Sequence, residues 1–461
     1  MNTTAVLVAM LPEHLLLVGL VFVIGLEIAG SARRLALAVA FVSVAAAAVA
    51  AAQLSLDGYA TAPFAGQFSV DRTTLLVKAM VLAFALPVLV MARDDFSGGE
   101  FPALLLSSLY GVCLLQSADS FPTLFLGLEL MSLPVYVLVL LAYRRPQSAE
   151  AALKYLVLGG TATATFLMGA SLLYGSGGSL GIDAFARALA TNDGLSRAAV
   201  VLVVLAFFLK GAIVPFHAWA PDAYEGASVP VTAYMATIVK AGVLLAVVRL
   251  FGHAQLATPM LEIFAVLPLV SIVWGNLAAM RQPSLRRMIA YSSIAHAGYL
   301  FYALLGDAAG RLQAVAFYLL AYGLMNLLAF AALPAADDDL ARDRLDNLKG
   351  LFHRAPYAAL MLAIAMLSLA GIPPFPGFVA KFLIFRNVMA AGHTTYAVLG
   401  LVGSYLGIYF YLRLLQFMFM SPDAPVAGAA PRRGLALAAS VACLAGAVLI
   451  AVFPGWVIAR F

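Results

Sequence analysis

The chain has 461 residues, 64% of them hydrophobic and only 11% charged, with a mean hydropathy of +0.99. No soluble domain of that length has this balance, so a water-soluble enzyme or binding module is excluded and an all-α polytopic membrane protein is expected. The formal net charge of +5 and the pI near 9.1 come from arginines between the apolar runs and need no nucleic acid to explain them.

A spanning helix takes about 20 mostly apolar residues. Fourteen such stretches follow one another, starting near Leu11, Leu35, Thr73, Pro102, Phe121, Ala149, Arg197, Ser228, Thr258, Met288, Leu312, Pro356, Tyr396 and Leu435. The first has Glu13 and His14 at its start and no basic residue before it. It lacks the positive region of a cleaved signal peptide and reads as a retained helix. In the fifth, FLGLELMSLPVYVLV, Glu129 is the acid well inside the span, since Glu13, Glu27 and Glu262 fall near helix ends. It is the natural counter-ion of a buried lysine, able to switch that lysine's proton affinity; a static ion pair holding two helices is the alternative. In the sixth, Lys154 follows Glu150 by four residues, the spacing of a helix-surface salt bridge. The glycines from Gly175 to Gly181 lack the GK[ST] ending of a phosphate loop and read as a flexible connection.

The seventh stretch, through Lys210, Gly211, Pro215 and His217, is interrupted: Pro215 cannot donate a helical bond to the Gly211 carbonyl, so a break at membrane depth is expected. In the eighth, Lys240 lies about 12 residues in, roughly 18 Å along the axis and beyond easy snorkelling reach. The tenth contains His296 in AYSSIAHAGYL. Next comes an acidic run, Asp337, Asp338 and Asp339, continuing through Arg342, Asp343, Arg344 and Asp346, which reads as a solvated loop or short surface helix. The stretch from Pro356 to Ala391 is about 36 residues, roughly 54 Å if helical against a core of about 30 Å, so it too must break. Gly371 to Gly377, GIPPFPG, marks the place, and Lys381 follows one turn later. Cys113 and Cys443 lie far apart in apolar helices without CxxC spacing, so iron–sulfur and structural zinc sites are not expected.

Five of the six lysines, Lys78, Lys154, Lys210, Lys240 and Lys381, lie inside apolar runs, whereas nearly all arginines lie between them. A lysine at bilayer depth costs roughly 2.5–3.5 kcal/mol, which points to use rather than accident. Buried lysine can be tuned toward neutrality and arginine cannot, so the pattern points to protons moving through a membrane. Lys210, Lys240 and Lys381 are the leading proton-holding candidates. Lys78 stands about two turns after Arg72 and is expected to snorkel to the interface. His217 and His296 titrate near neutrality and suit a proton relay, or serve as hydrogen-bonded core histidines. Two broken helices with a lysine at each point to an inverted-repeat transporter with its ion path at the breaks; a proline kink that only shapes packing is the alternative. The connections give an orientation: fourteen basic residues, including Arg33, Arg34, Arg144, Arg145, Arg286, Arg287, Arg432 and Arg433, fall on one side and seven on the other, which puts both termini outside.

The stretch LKGAIVPFHAWAPDAYEGASVPVTAYMATIVKAGVLL from Leu209, with LGLELMSLPVYV, RRMIAYSSIAHAGYL and GIPPFPGFVAKFLIF, resembles the antiporter-like membrane subunits of respiratory complex I. The PFHAWAPDAYEGASVPVTA form is most similar to the N-type subunit of the bacterial proton-translocating NADH:quinone oxidoreductase. The resemblance covers essentially the whole chain. It implies about fourteen helices, two inverted five-helix repeats and breaks in the seventh and twelfth helices. That places an N-terminal three-helix segment at 1–101, the repeats at 102–251 and 256–420, and a C-terminal helix at 434–461. It also implies that Glu129, Lys154, Lys210, Lys240 and Lys381 carry proton translocation, with His217 and His296 along the track. NADH, FMN, iron–sulfur clusters and quinone are then expected in partner subunits, with no cofactor in this chain. Partners would be neighbouring antiporter-like subunits in a bacterial inner membrane, with both termini periplasmic. The chain stops soon after its fourteenth span, so the lateral arm of the L-type sister subunit is not expected. A cation/proton antiporter subunit without a redox partner and a non-pumping membrane scaffold are the rival readings.

Overall fold

A computed structural model describes residues 3–31, 33–95, 99–142, 145–191, 193–252, 258–333, 343–421 and 434–461. The acidic residues Asp337, Asp338 and Asp339 with Arg342, and the connection arginines Arg144, Arg432 and Arg433, lie outside the described residues. In a bilayer every backbone polar group must find its partner within the protein, and apolar runs of this length do so as helices. In chain order these are α1 (Leu11–Ile28), α2 (Arg33–Leu56), α3 (Arg72–Asp95), α4 (Glu100–Ser117), α5 (Phe121–Leu141), α6 (Pro146–Gly177) and α7 (Gly194–Gly211). The short α8 (Trp219–Gly226) follows, then α9 (Val229–Phe251), α10 (Thr258–Ala279), α11 (Leu285–Tyr302) and α12 (Ala308–Ala331). The chain ends with α13 (Pro356–Ala370), α14 (Pro376–Ala390), α15 (Thr394–Phe419) and α16 (Gly434–Val452). Among the described residues, twelve helices are long and apolar enough to cross a membrane. The 18-residue α4 and the broken pair α13/α14 bring the described spans to the fourteen expected from the sequence.

Two compact units result, one of residues 1–211 and 226–258, the other of 212–225 and 259–461. In the first, α2 packs between α1 and α3, α4 lies along α1 and α5, and α6 runs along α7. Gly111 and Gly127 allow α4 and α5 to meet closely, since a Cβ on either would strike the partner helix's backbone. An antiparallel hairpin, Thr61–Phe64 with Phe68–Val70, adds Val70 to an apolar cluster of Ala9, Met10, Leu75 and Leu114. In the second unit, α12 packs on α13, α14 and α16, and α15 packs on α13 and α14.

Both expected breaks are present. Helix α7 stops at Gly211, and Ala212 takes a left-handed φ of 59° before the chain re-enters a helix at Trp219. Ser271 Oγ accepts the freed Val214 N–H at 2.9 Å. At the second break Gly371, φ 84°, closes α13 in a conformation that glycine adopts without steric cost, and Pro376 restarts the chain as α14. The glycine cluster is more regular than expected: α6 runs through Gly177, and Gly178, φ 65°, caps it. Its early glycines end a helix because only the left-handed cap requires the missing side chain.

Gly377 sits where α14 meets the end of α13, and a Cβ there would come 1.8 Å from the Ser368 carbonyl oxygen. Gly377→Ala is therefore expected to destabilise the second unit by at least about 1–3 kcal/mol, because backbone, not a side-chain tip, must move. A lowered midpoint for thermal inactivation of the detergent-solubilised protein checks this.

Candidate functional site

In the first unit Glu129 and Ser132, three residues apart on α5, share one helix face. Lys210, in the last turn of α7, reaches both: Nζ donates to Glu129 Oε1 at 3.3 Å and to Ser132 Oγ at 3.2 Å. Its side chain is 6% exposed and that of Glu129 20%. Thr163 of α6 donates its hydroxyl to the same carboxylate oxygen. A small cavity beside Lys210 is walled by Phe125, Phe166 and Phe207, with Thr163 as its other polar residue. The arrangement can hold a proton on lysine while the carboxylate is near.

Lys240 is buried and sits immediately after a π-helical turn, Met235–Val239, inside α9. Such turns recur at functional sites because they loosen the helical bond ladder locally. Thr237 bonds back to the Ala233 carbonyl at 2.6 Å within that stretch. Lys154 differs from the other candidates. Its Nζ lies 2.7 Å from Glu150 and its side chain is 45% exposed, so it is the surface pair that its spacing indicates, while Thr163, farther along the same helix, is the residue that reaches Glu129.

In the second unit Lys381 lies across the other break. Nζ donates to the Ala370 carbonyl at 2.9 Å and to Ser404 Oγ at 3.0 Å, and stands 5.1 Å from the centre of the Tyr299 ring. It thus satisfies a carbonyl at the C-terminal end of α13, where the helix dipole favours a cation. Tyr299 accepts from Asn276 Nδ2 at 3.1 Å, and that amide also donates to the Gly403 carbonyl at 3.0 Å.

His296, 4% exposed, uses both ring nitrogens. Nδ1 lies 2.6 Å from the Tyr318 hydroxyl and Nε2 lies 3.2 Å from that of Tyr411, which continues to Ser292 Oγ at 2.5 Å. Tyr322 packs on the ring at 4.7 Å. A cavity joins this group to the second break, lined by His296, Tyr318, Tyr322, Ser368 and Gly377 among others. Hydroxyl and imidazole groups in series suit proton hopping, since each both donates and accepts. His217 is half-buried, and its Nε2 accepts from Trp274 Nε1 at 3.0 Å. The α8 limb beyond the first break is fastened by Arg287, whose Nη1 lies 2.9 Å from both Asp222 and Glu225. Neighbouring Arg286 forms a buried pair with Asp343 at 2.9 Å.

Two side-chain groupings escape a reading of the sequence. The tyrosines around His296 are one, although Tyr318 and Tyr322 stand at helical i,i+4 spacing and could have been seen as one face. The other is Lys78. It does not snorkel: its side chain is 0% exposed and its Nζ meets Glu13 at 2.5 Å. Near the pair in sequence, Met10 and Leu75 join Ala9, Val70 and Leu114 in an apolar cluster on which the hairpin packs, at the starts of α1 and α3.

A model of the family described as NADH:quinone oxidoreductase/Mrp antiporter, transmembrane, matches residues 118–407. The sequence is 39% identical over 422 residues to the NADH-quinone oxidoreductase subunit N of Pelobacter propionicus, covering 91% of this chain and 90% of that one. It is similar, with a TM-score of 0.85 and 35% identity, to a chain of respiratory complex I from Thermus thermophilus, covering 97% and 98% of the two. At 23% identity a chain of the Mrp complex from Dietzia sp. DQ12-45-1b shares the fold, with a TM-score of 0.84 and coverage of 99% and 96%.

Proposed function

The chain belongs to the NADH:quinone oxidoreductase/Mrp antiporter membrane family, and on that premise we propose that it is a proton-translocating membrane subunit of an NADH:quinone oxidoreductase. The observation that carries this reading is a lysine held at a helix break in each unit, Lys210 on Glu129 and Ser132, Lys381 on the Ala370 carbonyl and Ser404. A lysine in such a setting releases a proton from its ammonium and takes one back as the neutral amine when its partners move. The chain converts an electrostatic or conformational signal into proton transfer, while NADH oxidation and quinone reduction, with FMN and iron–sulfur clusters, belong to partner subunits. Neighbouring antiporter-like subunits flank it in a bacterial inner membrane. The excess of basic residues in alternate connections supports periplasmic termini. The repeats at 102–251 and 256–420 supply one proton route each.

Extraction from the native membrane in mild detergent tests the reading. Co-purification with flavin and iron–sulfur subunits, together with NADH:quinone activity, is expected. Isolation with other antiporter-like chains alone, and sodium-gradient activity without NADH dependence, would favour the cation/proton antiporter. The matching family model takes in Mrp antiporter chains as well, and that is the observation behind the second reading.

Lys240 gives a sharper check. Arginine keeps charge and bulk but does not release its proton under biological conditions. Lys240→Arg is therefore expected to assemble and to lose coupled proton uptake nearly as fully as Lys240→Ala, measured by dye quenching in inverted membrane vesicles. Full NADH-coupled uptake in the arginine variant would contradict deprotonation at this position.

A further inference from the structure

Away from both breaks, the first unit contains a second acid–lysine pair. Glu13, in the first turn of α1, and Lys78, in the second turn of α3, place Oε1 and Nζ 2.5 Å apart, with side chains 1% and 0% exposed. The two reactive groups are the same as in the Glu129–Lys210 pair, but the burial is more complete. Apart from this contact, neither Glu13 oxygen nor Lys78 Nζ has a hydrogen-bond partner among the described residues, and the adjacent His14 Nε2 is buried without one as well. Tyr110 and Cys113 of α4 lie within electrostatic reach of Glu13, and Lys78 is within reach of Cys113. Tyr110 also packs on the apolar cluster of Ala9, Met10, Val70, Leu75 and Leu114 beside the starts of these helices.

An ion pair that only held α1 to α3 would be a poor device. Desolvating each ion costs several kcal/mol, and an apolar pair of like volume holds helices as well or better. The unshared valences make the cost larger. What the pair offers instead is a carboxylate and an ammonium that change net charge by one proton. Resting on the function proposed above, we propose that Glu13 and Lys78 form an additional proton-holding site in the N-terminal helices, loaded and emptied during the pumping cycle. In loading, a proton carried by water forms an O–H bond on Glu13 as the hydronium O–H bond breaks, and Lys78 remains an ammonium. In emptying, the same O–H bond breaks, water takes the proton and the ion pair returns.

The test uses the intact complex in membrane vesicles carrying Glu13→Gln, Lys78→Met or the double variant Glu13→Leu/Lys78→Met, with Lys210→Ala as reference. The measured quantity is protons taken up per NADH oxidised at matched assembly. Glu13→Gln and the double variant are both expected to lose part of that ratio. The redox-induced infrared difference spectrum should also lose a carboxylic-acid carbonyl band in Glu13→Gln. A double variant with the native ratio, or failure of every variant of the pair to assemble, overturns the proposal in favour of a structural pair. Native ratios at Glu13 and Lys78 beside a lowered ratio in Lys210→Ala sink this site alone. A native ratio in Lys210→Ala as well sinks the function on which it rests.

Discussion

A complex carrying Lys210→Ala is expected to assemble and bind its partners, yet to lose most of the proton movement that passes through the first unit. Alanine removes the ammonium that donates to Glu129 and Ser132 and leaves the carboxylate with the neutral Thr163 hydroxyl as its donor among the described residues. Breaking a fully buried pair costs about 3–5 kcal/mol of stability. Glu129 is 20% exposed and keeps the Thr163 hydroxyl, so the cost here is smaller and the fold survives. A positioned proton-transfer group contributes on the order of 10²–10⁴ to the rate of its step, so coupled proton uptake should fall by about tenfold or more where that step limits. NADH-driven dye quenching, set against immunoblots of assembled complex, checks this. Normal uptake in an assembled variant would remove Lys210 from the path.

The second large effect is expected at Lys381, and it should differ in kind. Methionine matches the length of the lysine stem, so Lys381→Met keeps most of the packing, but it donates nothing to the Ala370 carbonyl or to Ser404. A buried carbonyl left without its donor costs about 1–3 kcal/mol. The variant should therefore lose proton uptake and also unfold at a lower temperature. Lys381→Arg separates the two effects: its guanidinium restores donors near the α13 terminus without a releasable proton. Recovery of stability without recovery of pumping is the expected result, read from thermal inactivation and dye quenching on the same preparations.

The breaks and their lysines were legible because the signals are local. Pro215 and the GIPPFPG segment cannot continue a helix, and a 36-residue apolar run cannot cross the bilayer straight, so the positions of Lys210 and Lys381 follow from spacing alone. Glu129 as partner of a lysine was legible in kind, since it was the acid placed inside a span, but its choice of Lys210 depends on how α5 and α7 pack. Lys154 shows two signals in tension. Its i,i+4 glutamate is the structural fact, and its place on a proton path is only what the family resemblance implies.

The Glu13–Lys78 pair was misread because exposure was judged from distance to a helix end. The hairpin and its apolar cluster lie at that end, a tertiary fact with no period or motif behind it. The tyrosine group at His296 was missed for a related reason: Tyr411 and Ser292 come together from helices more than a hundred residues apart in sequence. The π-helical turn before Lys240 lies in MATIV, which has no proline or glycine to mark it.

In the proposed function protons cross at the lysines of the two breaks, driven by electron transfer in partner subunits. The most direct measurement is the number of protons translocated per NADH by purified complex reconstituted in vesicles, comparing native protein with Lys210→Ala/Lys381→Met at equal quinone reductase activity. A lower ratio is expected in the double variant, with electron transfer persisting. An unchanged ratio in an assembled double variant would contradict it and leave these lysines as structural pins of the helix breaks.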